Sequence, residues 1–298
     1  TLENYLTYHH MDVRTIYAKF SFARLCAEAG VRKSFAEPVE DVLTKAFSRL
    51  CAIDSRRWIG FLLDILPRLG DVDFSALGDN EKRMLNMFYV TVWQEVIEDF
   101  SADQVRERLY ALADSPVMLG ELIELLKYKL NTIDFIDAPA DLPYDCPLDV
   151  HCSYTRDQLL LALDFMKPKT LREGVKWLND KQTDVLLITL NKSDKEYSPT
   201  TMYNDYSINS RLFHWQSQST TSADSPTGQR YINHKARGSH VLLFVRETKS
   251  DACGAAPYTF LGTADYVSHS GSRPMNIVWQ LHQEIPAKFL RKTQQVMG

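Results

Sequence analysis

Between Thr189 and Arg237 the chain crowds together side chains whose types can read a nucleic acid. Asn191-Lys192-Ser193 leaves a candidate strand, and a turn-rich stretch holding Tyr197, Tyr203, Asn204, Asp205 and Tyr206 follows. Then come His214-Trp215-Gln216-Ser217-Gln218 and Arg230-Tyr231-Ile232-Asn233-His234-Lys235-Ala236-Arg237. Gln and Asn can pair with base edges and Lys and Arg with phosphates. A Tyr or Trp ring can stack on an exposed base for about 1–3 kcal/mol. Burial competes with this reading. Phe213 and Trp215 fall on one face of a strand, so at least one belongs to a core, with Gln216 on the other face.

Other patterns carry less. Glu247-Thr248-Lys249 directly follows an apolar strand, where metal-dependent nucleases place an acid for the ion and a lysine for the attacking water. The partner aspartate should lie on a preceding strand, yet the nearest upstream acid, Asp224, sits in a Ser/Thr/Gly-rich loop. A charged pair at a strand end explains the pattern better. His151-Cys152 beside Cys146 fits no standard metal spacing, and a structural role is expected there. The chain carries no phosphate-binding loop, dinucleotide fingerprint, zinc-protease motif or nucleophile elbow. No catalytic residue, metal ligand or cofactor is therefore assigned.

The elements that must position these residues differ between the two halves. At 298 residues, with 45% apolar and 24% charged side chains, the chain is globular and long enough for two units. No apolar run approaches the ~18 residues of a membrane helix and no signal peptide opens the chain. It begins at Thr1 and is read as a piece of a longer polypeptide. Five cysteines without a C-x-x-C pair fit a reducing compartment, so a cytoplasmic location is expected. Residues 147–298 hold 18 Lys+Arg against 14 Asp+Glu. The totals of 34 and 38 leave 16 against 24 for residues 1–146. An acidic scaffold joined to a part that meets polyanions would show this asymmetry.

Helical spacing dominates the first half. Glu37-Pro38 can open a helix holding Val42, Leu43, Phe47 and Leu50, and Ser55 caps one that ends before Pro67. Leu85, Phe88, Val92, Val96 and Phe100 trace one face over about five turns. Ser101 to Gln104 has capping-box spacing, and Met118 to Leu130 forms another amphipathic run. Acids and prolines crowd residues 134–149, marking a boundary. Capping boxes at Thr155 and Thr170 predict two short helices. Strands follow at Asp184–Leu190, Leu212–Gln216, Val241–Val245, Tyr258–Gly262 and Ile277–Leu281. The expected architecture is α+β: an all-α helical bundle over 1–146, then a mixed domain over 147–298 with a curled β-sheet or small β-barrel flanked by short helices.

Arg172-Glu173-Gly174-Val175, Thr189-Leu190-Asn191-Lys192, Tyr203-Asn204-Asp205-Tyr206, Phe213-His214-Trp215-Gln216-Ser217-Gln218, Leu243-Phe244-Val245-Arg246-Glu247 and Phe260-Leu261-Gly262 stand in this order. Together they resemble the uncharacterised C-terminal domain of bacterial proteins that begin with a phospholipase-D-type nuclease and continue with a superfamily-two helicase. SauUSI-type modification-dependent (type IV) restriction enzymes, which act in phage defence, have this layout. The likeness is densest over 147–290 and loosest over the helical half.

The resemblance implies that residues 147–298 recognise duplex DNA carrying 5-methylcytosine or 5-hydroxymethylcytosine, and that residues 1–146 couple them to upstream helicase and nuclease domains. ATP and a divalent metal would belong to those domains, and this part of the chain would not itself be an enzyme. The methyl group projects into the major groove, or the base is extruded into a pocket. For a pocket, Tyr203, Tyr206 and Trp215 are the candidate walls and Asp205 the candidate acceptor, against a turn-forming role for Asp205. His214, Gln216 and Gln218 would touch base edges, and Ser217 between them is a further DNA-binding candidate. Lys192, Arg230, Lys235 and Arg237 would hold the backbone, and Tyr197 and His234 are further DNA-binding candidates. The alternatives are a protein-interaction module, with the polar cluster as an internal hydrogen-bond network, and residual nuclease activity at Glu247 and Lys249.

Overall fold

A computed structural model describes residues 1–191 and 205–294. The chain forms two compact units, one of Thr1–Asp134, Ser153–Pro168 and Ala252–Gly254, the other of Phe135–Cys152, Lys169–Asp251 and Ala255–Gly298. The fold is mixed α+β, a helical part followed by a β-rich one. No helix among the described residues is long and apolar enough to cross a membrane.

The helical unit is built from α1 (Leu2–His9), α2 (Val13–Tyr17), α3 (Phe22–Glu28), α4 (Glu40–Leu50), α5 (Arg56–Ile65), α6 (Asp79–Trp93), α7 (Asp103–Ala113), α8 (Pro116–Thr132) and α9 (Arg156–Ala162). Asp12, Ser21, Ser55 and Thr155 accept backbone amides at helix starts, which satisfies donors the first turn leaves over. The apolar faces of α4, α5, α6 and α8 meet in a core that includes Phe47, Trp58, Leu62, Phe88, Leu122 and Leu126. Trp58 donates its indole N–H to the Met84 carbonyl at 3.1 Å, so its one polar atom is satisfied inside that core.

Three local expectations give way here. The face traced to Phe100 ends at Trp93, because Gln94 takes a left-handed conformation (φ 57°). Buried Asn86 then holds both backbone groups of Ile97, accepting its N–H at 2.8 Å and donating to its C=O at 3.1 Å, which folds the next segment back. Ser101 does not cap α7. Its hydroxyl donates to Asp99 at 2.6 Å, a local turn that outcompetes the capping box. Thr170 to Glu173 opens no helix either. Gly174, next in the chain, accepts the Leu187 amide at 2.8 Å and leads into a strand.

Strands follow as β1 (Ala138–Pro139), β2 (Asp149–Val150), β3 (Ser153–Tyr154, within the helical unit), β4 (Val175–Leu178), β5 (Thr183–Thr189), β6 (Tyr206–Ser207) and β7 (Leu212–Gln216). After helices α10 (Pro226–Ile232) and α11 (His234–Arg237) come β8 (His240–Arg246), β9 (Ser250–Asp251), β10 (Gly254–Ala255), β11 (Tyr258–Ser270), β12 (Asn276–Leu281) and α12 (Ala287–Thr293). The main sheet runs β4-β5-β8-β11-β12-β7-β6 and stays open. Of the two expected forms it is therefore the sheet and not the barrel.

Within this sheet β5 and β8 pair in parallel and the other neighbours are antiparallel. β5 and β8 are apolar on both faces because both are covered, whereas β7 alternates between buried and half-buried side chains, so its two sides differ. The 13-residue β11 pairs with β8 through its first half and with β12 through its second. Register shifts at Phe260/Gly262 and Tyr266/Ser268 turn it between the two halves.

Candidate functional site

The half-sheet of β11, β12, β7 and β6 has two unlike faces. Pairing sets Trp215 beside Ile277 and Phe213 beside Trp279, and these four side chains point into one core. Trp215, Trp279 and Tyr231 of α10 meet at ring-centroid distances of 5.4 to 6.3 Å. Phe289 and Leu290 of α12 pack on the same cluster.

Several residues expected to meet DNA are committed to this side. Trp215 is 4% exposed. Buried His234 donates from Nδ1 to the Ser239 carbonyl at 3.2 Å. Its Nε2 accepts the Tyr266 amide at 2.9 Å, which requires the neutral ring. Burial pushes its pKa down in the same sense. Arg230 forms two 2.8 Å hydrogen bonds to the fully buried carboxylate of Asp184, and its guanidinium lies 4.4 Å from the Trp177 ring centre. Burial works against the charge of Arg230, and the bonds to Asp184 outweigh it, holding the guanidinium above its usual value. Gln218 accepts from the Tyr231 and Thr221 hydroxyls, and Ser217 Oγ accepts the Met275 amide.

The other face presents a different set. Tyr206 and His214, paired across β6 and β7, stack at 4.8 Å with 15° between ring planes. Next along β7, Gln216 donates to Asn276 Oδ1 at 3.4 Å. Val278, Ser268 and Ser270 continue this surface on β12 and β11, the two serines being exposed. Asp205 is buried behind its edge and accepts the Gln216 amide at 2.8 Å, which ties the start of β6 to the end of β7. The fold thus brings Tyr206, His214, Gln216 and Asp205 together and separates them from Trp215, Arg230 and His234.

Lys235 and Arg237 of α11 are exposed, and the Lys235 ammonium lies 3.4 Å from Asp265. Asp265 also faces His282 Nε2 at 3.1 Å, while His282 Nδ1 meets the Thr263 hydroxyl at 2.7 Å. Burial tends to raise Asp265, and His282 with Lys235 overcomes it and holds the carboxyl below its usual range. Lys192, Tyr197 and Tyr203 lie outside the described residues. Glu247 and Lys249 stand just beyond the end of β8, and His151 Nδ1 meets the Ile136 carbonyl at 3.3 Å. Among the described residues no group of three or more His, Cys, Asp or Glu side chains could hold a metal ion.

Residues 148–292 match a domain of unknown function, DUF3427. No curated protein matches the chain. The matched span contains both faces of the half-sheet. Sequence reasoning missed Asn276, Val278, Ser268 and Ser270. The alternation of Asn276–Leu281 was a usable signal for the first two. The register shift at Tyr266/Ser268 changes the phase of β11, so the serines were not readable from period alone.

Proposed function

We propose that residues 147–298 form the target-recognition region of a modification-dependent restriction enzyme, with residues 1–146 coupling it to upstream helicase and nuclease domains. The region binds duplex DNA and reads 5-methylcytosine or 5-hydroxymethylcytosine on the Tyr206–His214 face of β6, β7, β12 and the second half of β11. The observation that carries this reading is the half-buried stack of Tyr206 on His214 beside the Gln216–Asn276 amide pair. The rings offer a π-face to a base, and the amides offer a donor and an acceptor to a base edge. Exposed Lys235 and Arg237, with Lys192 and Tyr197, contribute at the phosphates. ATP and a divalent ion act in the upstream domains, and this part of the protein is not itself catalytic. The protein works in the cytoplasm.

The test is binding of the chain to one duplex, unmodified and carrying 5-methylcytosine, over a series of salt concentrations. A preference of about tenfold, ~1.4 kcal/mol, is expected, and His214→Ala and Gln216→Ala each reduce it while the protein stays folded. Emission from 2-aminopurine placed beside the target cytosine rises if the base leaves the stack. No binding at low salt overturns the proposal in favour of a protein-interaction module. Cleavage in magnesium that is lost in Lys249→Ala would instead favour nuclease activity at Glu247 and Lys249.

A further inference from the structure

Strand pairing puts a carboxylate on the face that carries His214 and Gln216. Ala264 and Tyr266 register with Leu281 and Trp279 and pack with them in the core. Asp265, between the two on β11, therefore points the opposite way, and Thr263, two residues earlier, points with it. Its pairing partner Gln280 lies on β12 between the core residues Trp279 and Leu281 and is exposed. Asp205, the acid expected to meet a cytosine, is instead buried and accepts the Gln216 amide.

Asp265 is oriented from behind. Its Oδ1 faces His282 Nε2 at 3.1 Å and its Oδ2 faces the Lys235 ammonium at 3.4 Å. An ionised carboxylate only accepts, so Nε2 carries the hydrogen, and in the neutral ring Nδ1 accepts the Thr263 hydroxyl at 2.7 Å. Asp141 Oδ2 lies 3.9 Å from the same Nδ1. Hydroxyl, imidazole and carboxylate in a row also make up a hydrolytic relay, but Thr263 is only 4% exposed. Its hydroxyl thus orients the ring and meets no substrate. Accessibility lies at the far end of the row, where the Asp265 side chain is 28% exposed.

We propose that Asp265 accepts a hydrogen bond from the exocyclic amino group of the cytosine that is read, with His282 and Thr263 as its positioning residues. The proposal rests on this half-sheet being the DNA-reading face. A carboxylate has about four acceptor positions, so His282 and Lys235 leave room for a further donor. Against burial, His282 and Lys235 hold the carboxyl below its usual range, which keeps it an acceptor at neutral pH. Negative charge on such a face repels the phosphates, and a base that offers a donor offsets that cost, so the carboxylate adds specificity rather than general affinity. The cytosine amino group is a donor in the major groove and remains one if the base is extruded.

Thymine carries the same methyl group as 5-methylcytosine but an acceptor oxygen in place of the amino group. The test is therefore binding of the whole chain at low salt to three duplexes with 5-methylcytosine, cytosine or thymine at one position, each paired with its normal complement. The wild type should prefer 5-methylcytosine to thymine by about tenfold or more. In Asp265→Asn the His282 N–H holds the amide oxygen and turns the amino group outward, so the preference should vanish or reverse toward thymine. Asp265→Ala removes the acceptor without adding a donor and should bind the two duplexes about equally, which preserves the test if the asparagine variant fails to fold. The wild-type ratio retained in the folded variants overturns the proposal. Wild-type protein that binds 5-methylcytosine and thymine alike, both above cytosine, overturns it while supporting methyl recognition. A preference over thymine but not over cytosine, lost in the variants, supports Asp265 and overturns methyl recognition alone. No binding to any duplex overturns both.

Discussion

A guanidinium can hold a phosphate or a carboxylate, and at Arg230 the fold commits it to the carboxylate. Asp184 is fully buried and accepts both bonds at 2.8 Å. Removing the arginine strands a charge in the core, so Arg230→Ala should cost about 3–5 kcal/mol in urea unfolding. The double variant Arg230→Met with Asp184→Leu should recover most of that loss, because no charge is then left buried. A phosphate-binding arginine would show the opposite pattern, with weaker DNA binding and little change in stability. Residue types pointed to nucleic acid at this position, but the partner lies 46 residues upstream. No local spacing could reveal it. His214 and Gln216 differ, because their outward direction follows from strand alternation alone once Phe213 and Trp215 are taken inward.

At the scale of elements, β11 does the most to shape the site, since one strand serves both halves of the sheet. Its first turning point is Gly262, with φ at 90° and a built Cβ only 3.2 Å from Val150 Cγ2. Gly262→Ala should therefore lower stability by about 1–3 kcal/mol in the same unfolding measurement. Gly60 in α5 supplies the contrast, because nothing lies within 4 Å of a Cβ there. Gly60→Ala should stabilise by about 0.5–1 kcal/mol. The same split governs which caps were legible. Ser55 and Thr155 cap as their sequences indicate, because each helix begins where no competitor intervenes. Ser101 is captured by Asp99, and Gly174 beyond Thr170 is drawn into the ladder with β5. Both outcomes depend on neighbours that a four-residue motif does not contain.

Across the whole molecule, the net charge of −4 conceals an acidic first half and a basic second half. Among the described residues, Arg230 is bound to buried Asp184 and Arg211 to Glu284, whereas Lys235 stays exposed beside Asp265. DNA binding should thus depend on salt through a small number of contacts. In a plot of log affinity against log salt, Arg237→Ala should reduce the slope by about 1, and Arg230→Ala should leave it unchanged. By itself the sequence determined the order of helical and β-rich parts, most strands and the two faces of Leu212–Gln216. Periods of 3.6 and 2 are local properties of the backbone and need no distant partner. Only the tertiary structure decided which polar residues meet solvent and which one another. Burying a charge or a hydrogen-bonding group is tolerable solely where a long-range partner satisfies it, as Asp184 does for Arg230 and the Tyr266 amide for His234.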